Sequence, residues 1–198
     1  MAKTKSKARS KAKTKASGRM IVCRIERCLG CRSCEIACAL AHAASDNLYD
    51  AVLEQPRPQR RVRVEPVAKG DSTGRAGAGA CPMQCQHCED APCLEACPSG
   101  ALRRATENGP VLVDAERCIG CKFCVIACPF GVIEMSRDGR AVVKCDLCVK
   151  RTEAGKEPAC VSACPTRALA FVEIEEYNRR KRQAAAEMLQ AAQKTGER

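Results

Sequence analysis

The sequence predicts an α+β fold in which short hairpins and short helices are built twice in tandem, with a basic arm before them and a helix after them. Three observations predict it. Eighteen of the 198 residues are cysteine; sixteen of these fall into four groups of four; and the first and third groups repeat one another at an offset of 90 residues. Aromatics number only five (Tyr49, Phe123, Phe130, Phe171, Tyr177), and tryptophan is absent. A core of large aromatic side chains is therefore excluded, and something else must order the chain. No apolar run approaches the roughly 18 residues of a membrane-spanning helix.

Residues 1–19 carry Lys3, Lys5, Lys7, Arg9, Lys11, Lys13, Lys15 and Arg19 and no acid, alternating with small residues. They are expected to form a disordered basic arm. The arm holds eight of the formal +11 net charges, so the basic balance says little about the folded body. No apolar leader or twin-arginine pair accompanies it, which points to a cytoplasmic chain. Cysteines kept reduced there are metal ligands rather than a disulfide framework.

The first group, Cys28, Cys31, Cys34 and Cys38, has the spacing C-x2-C-x2-C-x3-C, and the third, Cys118, Cys121, Cys124 and Cys128, repeats it. The second group is Cys85, Cys88, Cys93 and Cys97, with a gap of four. The fourth is Cys145, Cys148, Cys160 and Cys164, with a gap of eleven. Proline follows the last cysteine of groups two, three and four, whereas Ala39 follows Cys38. Three thiolates two residues apart can wrap one cubane, while the fourth reaches a neighbouring one; this is the ligand run of bacterial-type [4Fe–4S] ferredoxins. Zinc prefers two separated C-x2-4-C pairs, and a third and fourth cysteine so close would crowd a tetrahedral site. Four such groups read as four [4Fe–4S] clusters. Cys23 and Cys81 stand outside the groups and read as small apolar residues.

The repeat extends beyond the ligands. Glu26 to Cys38 matches Glu116 to Cys128, and Ala91 to Leu102 resembles Pro158 to Leu169. Met20–Cys23 and Val111–Val113 are expected as strands leading into cysteine loops. Asn108-Gly109 and Asp138-Gly139 carry hairpin chemistry. The helices are expected to be short and to begin at the fourth cysteine of each group or just before it. Residues 51–80, rich in proline, arginine, glycine and alanine, read as a connecting loop suited to partner contact. From Glu173 to the end, Ile174, Tyr177, Ala184, Met188 and Ala192 fall near one helical face, and the helix is expected to dock on its own domain or on a partner.

The fourfold pattern resembles the four-cluster ferredoxin-like electron-transfer subunits, such as the iron–sulfur subunits of dimethyl sulfoxide reductase, polysulfide reductase and formate dehydrogenase, over residues 20–172. Pro82 to Leu102 and Gln55-Pro56-Arg57-Pro58 most resemble the iron–sulfur proteins serving carbon monoxide dehydrogenase. The resemblance implies tandem bacterial-type dicluster folds, with an outer unit of 20–50 and 140–172 and an inner unit of 81–139. It implies that group one pairs with four, and two with three. The clusters would then be Cys28/Cys31/Cys34/Cys164, Cys145/Cys148/Cys160/Cys38, Cys85/Cys88/Cys93/Cys128 and Cys118/Cys121/Cys124/Cys97. Spacing alone leaves other exchanges of the fourth ligand open.

The expected function is an electron wire without a catalytic site of its own. Only two histidines are present, and no nucleophile, oxyanion loop or phosphate-binding glycine motif accompanies them. His87, between two cysteines of group two, is a candidate for hydrogen bonding to a cluster. The resemblance implies a catalytic partner of carbon monoxide dehydrogenase, molybdopterin oxidoreductase or hydrogenase type, with a membrane-anchor or hydrogenase subunit as a further partner and no small-molecule substrate. The alternatives are a free-standing soluble polyferredoxin and, more remotely, a zinc-binding module that touches nucleic acid through the arm.

Overall fold

The computed structural model describes residues 18–45, 47–70 and 76–196. Eight strands pair into four separate antiparallel ribbons. β1 (Arg19–Cys23) joins the two ends of the body by pairing with β8 (Leu169–Glu173), in the register Ile21 opposite Phe171. β2 (Val62–Gly70) pairs with β3 (Ala76–Gln84), β4 (Leu102–Arg104) with β5 (Val111–Val113), and β6 (Glu134–Met135) with β7 (Val142–Val143). The strands expected at Met20–Cys23 and Val111–Val113 are present. So are the hairpins around Asn108-Gly109 and Asp138-Gly139. Helix and strand together make an α+β fold.

Two hydrophobic clusters replace a single core. The first gathers Ile21, Val62, Val64, Leu147, Val161 and Leu169 around cysteines of groups one and four. The second gathers Ala91, Leu102, Val111, Ile133 and Val142 around cysteines of groups two and three. No aromatic side chain is among the buried residues of either core, which are filled by aliphatic side chains and cysteines, as the composition requires.

Four helices carry the third cysteine of a group as their second residue: α1 (Ser33–Ala41), α3 (Pro92–Glu95), α4 (Phe123–Ala127) and α6 (Ala159–Ser162). Helix α2 (Leu48–Leu53) follows α1, and α5 (Val149–Glu153) fills the eleven-residue gap of group four. The helices thus start before the third cysteine, not at the fourth as expected. The three short ones stop at or before Cys97, Cys128 and Cys164 because the residue preceding a proline is driven out of the helical region. Cys128 accordingly has φ −75° and ψ 113°. With Ala39 in place of proline, α1 runs on through Cys38 to Ala41.

The segment 51–80, expected as a loop, instead holds the end of α2 and most of a long hairpin. Val62 and Val64 are buried while Arg63 and Glu65 face outward, the period of two that a strand packed on one face requires. That alternation lies inside what reads by composition as an arginine-rich loop. The hairpin continues to Gln84, so residues 81–84 side with the first core rather than with the inner unit. Val142, assigned by sequence to the outer unit, packs in the second core. Of the expected arm, residues 1–17 lie outside the described residues, and Arg19 belongs to β1, where its guanidinium meets Glu173 at 2.6 Å.

The C-terminal helix α7 (Ile174–Gly196) begins one residue later than expected, because Glu173 is paired in β8. Ile174 and Tyr177 lie beside the body, but every described side chain from Asn178 to Gln193 is exposed. Glu176 pairs with Arg179 and Arg180 one turn on. No helix among the described residues is long and apolar enough to cross a membrane. Truncation after Asn178 removes no buried side chain. It is expected to move stability by less than about 0.5 kcal/mol, read as an unchanged midpoint for denaturant-induced loss of visible absorbance. A marked drop would mean that α7 packs on the body.

Candidate functional site

The loops of groups one and three have one backbone. Gly30 and Gly120 each sit at φ 68°, and Arg32 and Lys122 follow at φ 61° and 66°. Left-handed residues at alternate positions turn successive N–H groups into one concavity, a nest suited to anionic sulfur. For arginine and lysine that conformation costs about 1–3 kcal/mol each, and it persists only where the surroundings impose it. In group two, His87 takes φ 49°; in group four, Leu147 and Cys148 take 56° and 48°.

These loops bring together cysteines far apart in sequence. Cys28, Cys31, Cys34 and Cys164 line one cavity. Cys85, Cys88, Cys93 and Cys128 line another. Burial, together with the nearby sulfurs of Cys118, Cys97 and Cys121, pushes the Cys124 thiol up to about 11. Burial also drives Cys160 far up, with Cys38, Cys148 and Cys34 adding to it. Cys145 rises for the same reason, with Cys160 and Cys38 beside it. The last cysteine of each group thus lies near cysteines of another group: Cys164 near those of group one, Cys128 near group two, Cys97 near group three and Cys38 near group four. Cys23 and Cys81 lie next to each other instead. Burial and the Cys81 thiol hold Cys23 at about 12.

Donors reach the sulfurs from all sides. The backbone N–H of Arg61 donates to Cys38 Sγ at 3.2 Å, that of Leu147 to Cys145 at 3.4 Å, that of Ala168 to Cys164 at 3.2 Å and that of His87 to Cys85 at 3.4 Å. Ser33 lies 3.4 Å from Cys31 and draws its thiol down. Burial works against Cys164, but the Leu169 N–H and the Thr166 hydroxyl bring it below the ordinary thiol value. For Cys97, the Leu102 N–H and Ser99 do the same.

Two charged arrangements flank the sulfurs. Beside group one, His42 Nδ1 lies 2.7 Å from the Cys38 carbonyl oxygen and its Nε2 3.1 Å from Asp146, which Arg61 also binds at 2.7 Å. Burial disfavours the His42 cation, but Asp146 and Cys38 outweigh it and raise the ring to about 9. His42, Asp146 and Cys148 bring ligand atoms within 4.8 Å of one another, but the carboxylate is already shared between His42 and Arg61. At group two, Lys144, only 2% exposed, donates to Val111 O at 2.5 Å, Cys145 O at 3.0 Å and Cys85 Sγ at 3.5 Å. The N–H of Val111 donates to His87 Nδ1 at 3.1 Å, which leaves the ring proton on Nε2; that atom is buried without a partner. Burial and the Lys144 charge lower His87 to about 3, so the ring is neutral.

The residues fit [4Fe–4S] clusters on the chemistry of the donor set: soft thiolates in fours, ringed by N–H donors, with a buried ring N–H at a cysteine-lined cavity that has no acceptor of its own. Lys144, Asp146 and Arg61 are absent from the sequence-based candidates. No alternation marks Lys144: it follows β7, and Ala141, Val142, Lys144 and Cys145 are all buried.

The family described as 4Fe-4S dicluster domain matches residues 78–174, and that described as 4Fe-4S binding domain matches residues 25–41. An iron-sulfur protein of Rhodospirillum rubrum is 43% identical over 173 residues, covering 81% of this chain and 85% of its own. The thiosulfate reductase electron transfer subunit PhsB of Salmonella typhi is 40% identical over 152 residues, 76% of this chain and 73% of its own. The electron transport protein HydN of Escherichia coli K12 is 36% identical over 188 residues, 86% and 98%.

Substituting Cys38→Ser is expected to change the same EPR features as Cys145→Ser, not those of Cys28→Ser. Coincidence of the Cys38→Ser and Cys28→Ser difference spectra would show instead that each group fills its own set.

Proposed function

The chain belongs to the family of [4Fe–4S] ferredoxin-like electron-transfer subunits, and from that premise we propose that its sixteen grouped cysteines hold four clusters as two tandem dicluster units between a catalytic oxidoreductase subunit and a second redox partner. That it binds [4Fe–4S] clusters, relays electrons and is not itself the catalytic subunit follows from the relatives' names and the matched domains. The number of clusters, their ligands, the cytoplasmic placement and the partner belong to the proposal. One observation supports it: the last cysteine of each group lies near cysteines of another group.

Bound clusters take up and pass single electrons. The chain's residues do the rest. The nests at Gly30–Arg32 and Gly120–Lys122 and the N–H donors to sulfur would position the cages. The exchange of fourth cysteines ties neighbouring sets together, Cys34 lying within electrostatic reach of Cys160. Lys144 joins the second core, through Val111, to the first, through Cys145. That supports a linear order: the set of Cys28, the set of Cys145, the set of Cys85, the set of Cys118.

Exposed apolar residues sit beside both terminal sets. Leu29 is 73% exposed, with Ile36 near it in the first loop and helix. Ile119, the counterpart of Leu29, is 68% exposed, beside exposed Phe123 and Ile126. Apolar rims over the ends of a relay suit docking of redox partners rather than a freely diffusing ferredoxin.

Anaerobically purified protein is expected to contain about sixteen iron and about sixteen acid-labile sulfide per chain, with interacting EPR signals after dithionite reduction. Zinc without sulfide would overturn the reading. Half that iron would reduce it to a single dicluster unit.

A further inference from the structure

A lysine buried to 2% exposure with no carboxylate partner among the described residues is an anomaly. Lysine has three N–H donors, and Lys144 satisfies them with two carbonyls and Cys85 Sγ. Hydrogen bonding alone does not balance a buried charge; a counter-charge is required. Beside Cys38 and Cys148, by contrast, Asp146 sits between His42 and Arg61. For Lys144 the anion within reach is the thiolate cage of Cys85, Cys88, Cys93 and Cys128, and its charge lowers the Cys93 thiol against the burial that raises it. Arg104 adds a second cation at this cage, its guanidinium donating to the Cys88 carbonyl at 2.7 Å. The unpartnered Nε2–H of His87 belongs to the same cavity.

Adding an electron to a cage makes it more negative. A fixed cation and an extra N–H donor therefore favour the reduced form, and net charge and hydrogen bonds to sulfur are the levers that set such potentials. We propose that Lys144 and His87 make the set of Cys85, Cys88, Cys93 and Cys128 the most easily reduced of the four, so that electrons crossing from one core to the other pass through a well at the junction. This rests on the four-cluster reading above. The set of Cys145 differs in that its neighbouring carboxylate, Asp146, is shared between His42 and Arg61, whereas Lys144 beside the set of Cys85 has no carboxylate among the described residues.

The test is an EPR-monitored redox titration of the full-length iron-loaded protein and of Lys144→Gln, Lys144→Arg and His87→Phe, with iron and sulfide counted for each. Wild-type protein is expected to show one midpoint potential above the other three. Lys144→Gln should lower that one by at least tenfold in its reduction equilibrium, 59 mV for one electron, and move the others by less than threefold. Lys144→Arg, which keeps the charge, should stay within threefold of wild type, and His87→Phe should lower the same potential. A fully loaded Lys144→Gln protein with an unmoved highest potential, or with all four potentials shifted alike, overturns the proposal. If Lys144→Gln loads incompletely, His87→Phe decides: an unmoved highest potential there overturns it. A wild-type protein holding fewer than four clusters overturns the parent reading instead, since the iron count is read independently of the potentials.

Discussion

Sulfur anions crowded into fours repel one another, and almost everything in this molecule answers that repulsion. Burial and neighbouring thiolates hold Cys124 near 11 and drive Cys145 and Cys160 well above an ordinary thiol. The backbone is bent to point N–H groups at these sulfurs, at Arg32 and Lys122 against their own conformational preference. Iron inside each cage supplies the positive charge that the polypeptide alone does not. The two hydrophobic cores are correspondingly slight, with no aromatic side chain among their buried residues. Helices of four or five residues would be marginal in isolation. They stand because each is anchored at its second residue by a cysteine that belongs to a cage.

Topology follows from the same constraint. Cys164 reaches the first loop only if the chain returns to its start, and β8 pairing with β1 accomplishes that return. Cys38 cannot leave its helix as the other fourth cysteines do, because Ala39 does not break it. The turn that proline makes elsewhere is replaced by a long-range contact: the strand-entry residue Arg61 donates its backbone N–H to Cys38 and its guanidinium to Asp146. Glu35 fastens the following strand by accepting from the N–H of Val64 at 2.6 Å, with Arg60 paired to the same carboxylate. One substitution in a repeated motif is thus tied to a whole hairpin inserted between the first and second groups.

What could be read without coordinates divides along physical lines. The iron–sulfur chemistry was legible because coordination chemistry acts through residue type and short spacing. Strands β1 and β5 and the two tight hairpins were legible because their signals are local. The β2–β3 ribbon was not, since Ala76–Gln84 has almost no strand propensity of its own. It is a strand because Val62–Gly70, anchored by two buried valines, offers it a ladder, and pairing of this kind overrides propensity. The helix starts were misplaced because the third cysteine, not the fourth, fixes the first turn. Lys144 was missed because a lysine beside a cysteine reads as surface until the fold is known to bury it against Val111, Cys145 and Cys85. The companionship of each fourth cysteine came from the family resemblance, as spacing alone admits several exchanges.

The repeat separates what is common to the sets from what distinguishes them. Gly30 and Gly120, Arg32 and Lys122, and Leu29 and Ile119 occupy equivalent places with equivalent backbones or exposures. A relay of identical sites would give an electron no direction and no resting place. Difference enters where the halves depart from one another: a carboxylate against Cys145, an ammonium against Cys85, a neutral ring between Cys85 and Cys88. Lys144 and His87 are buried, where charge is least screened. On the four-cluster reading proposed above, redox asymmetry would be concentrated where Lys144 links the two cores. The ends are left free to match whatever partner surface covers them, and one chain design can then serve different redox partners by changing its rims while keeping its centre.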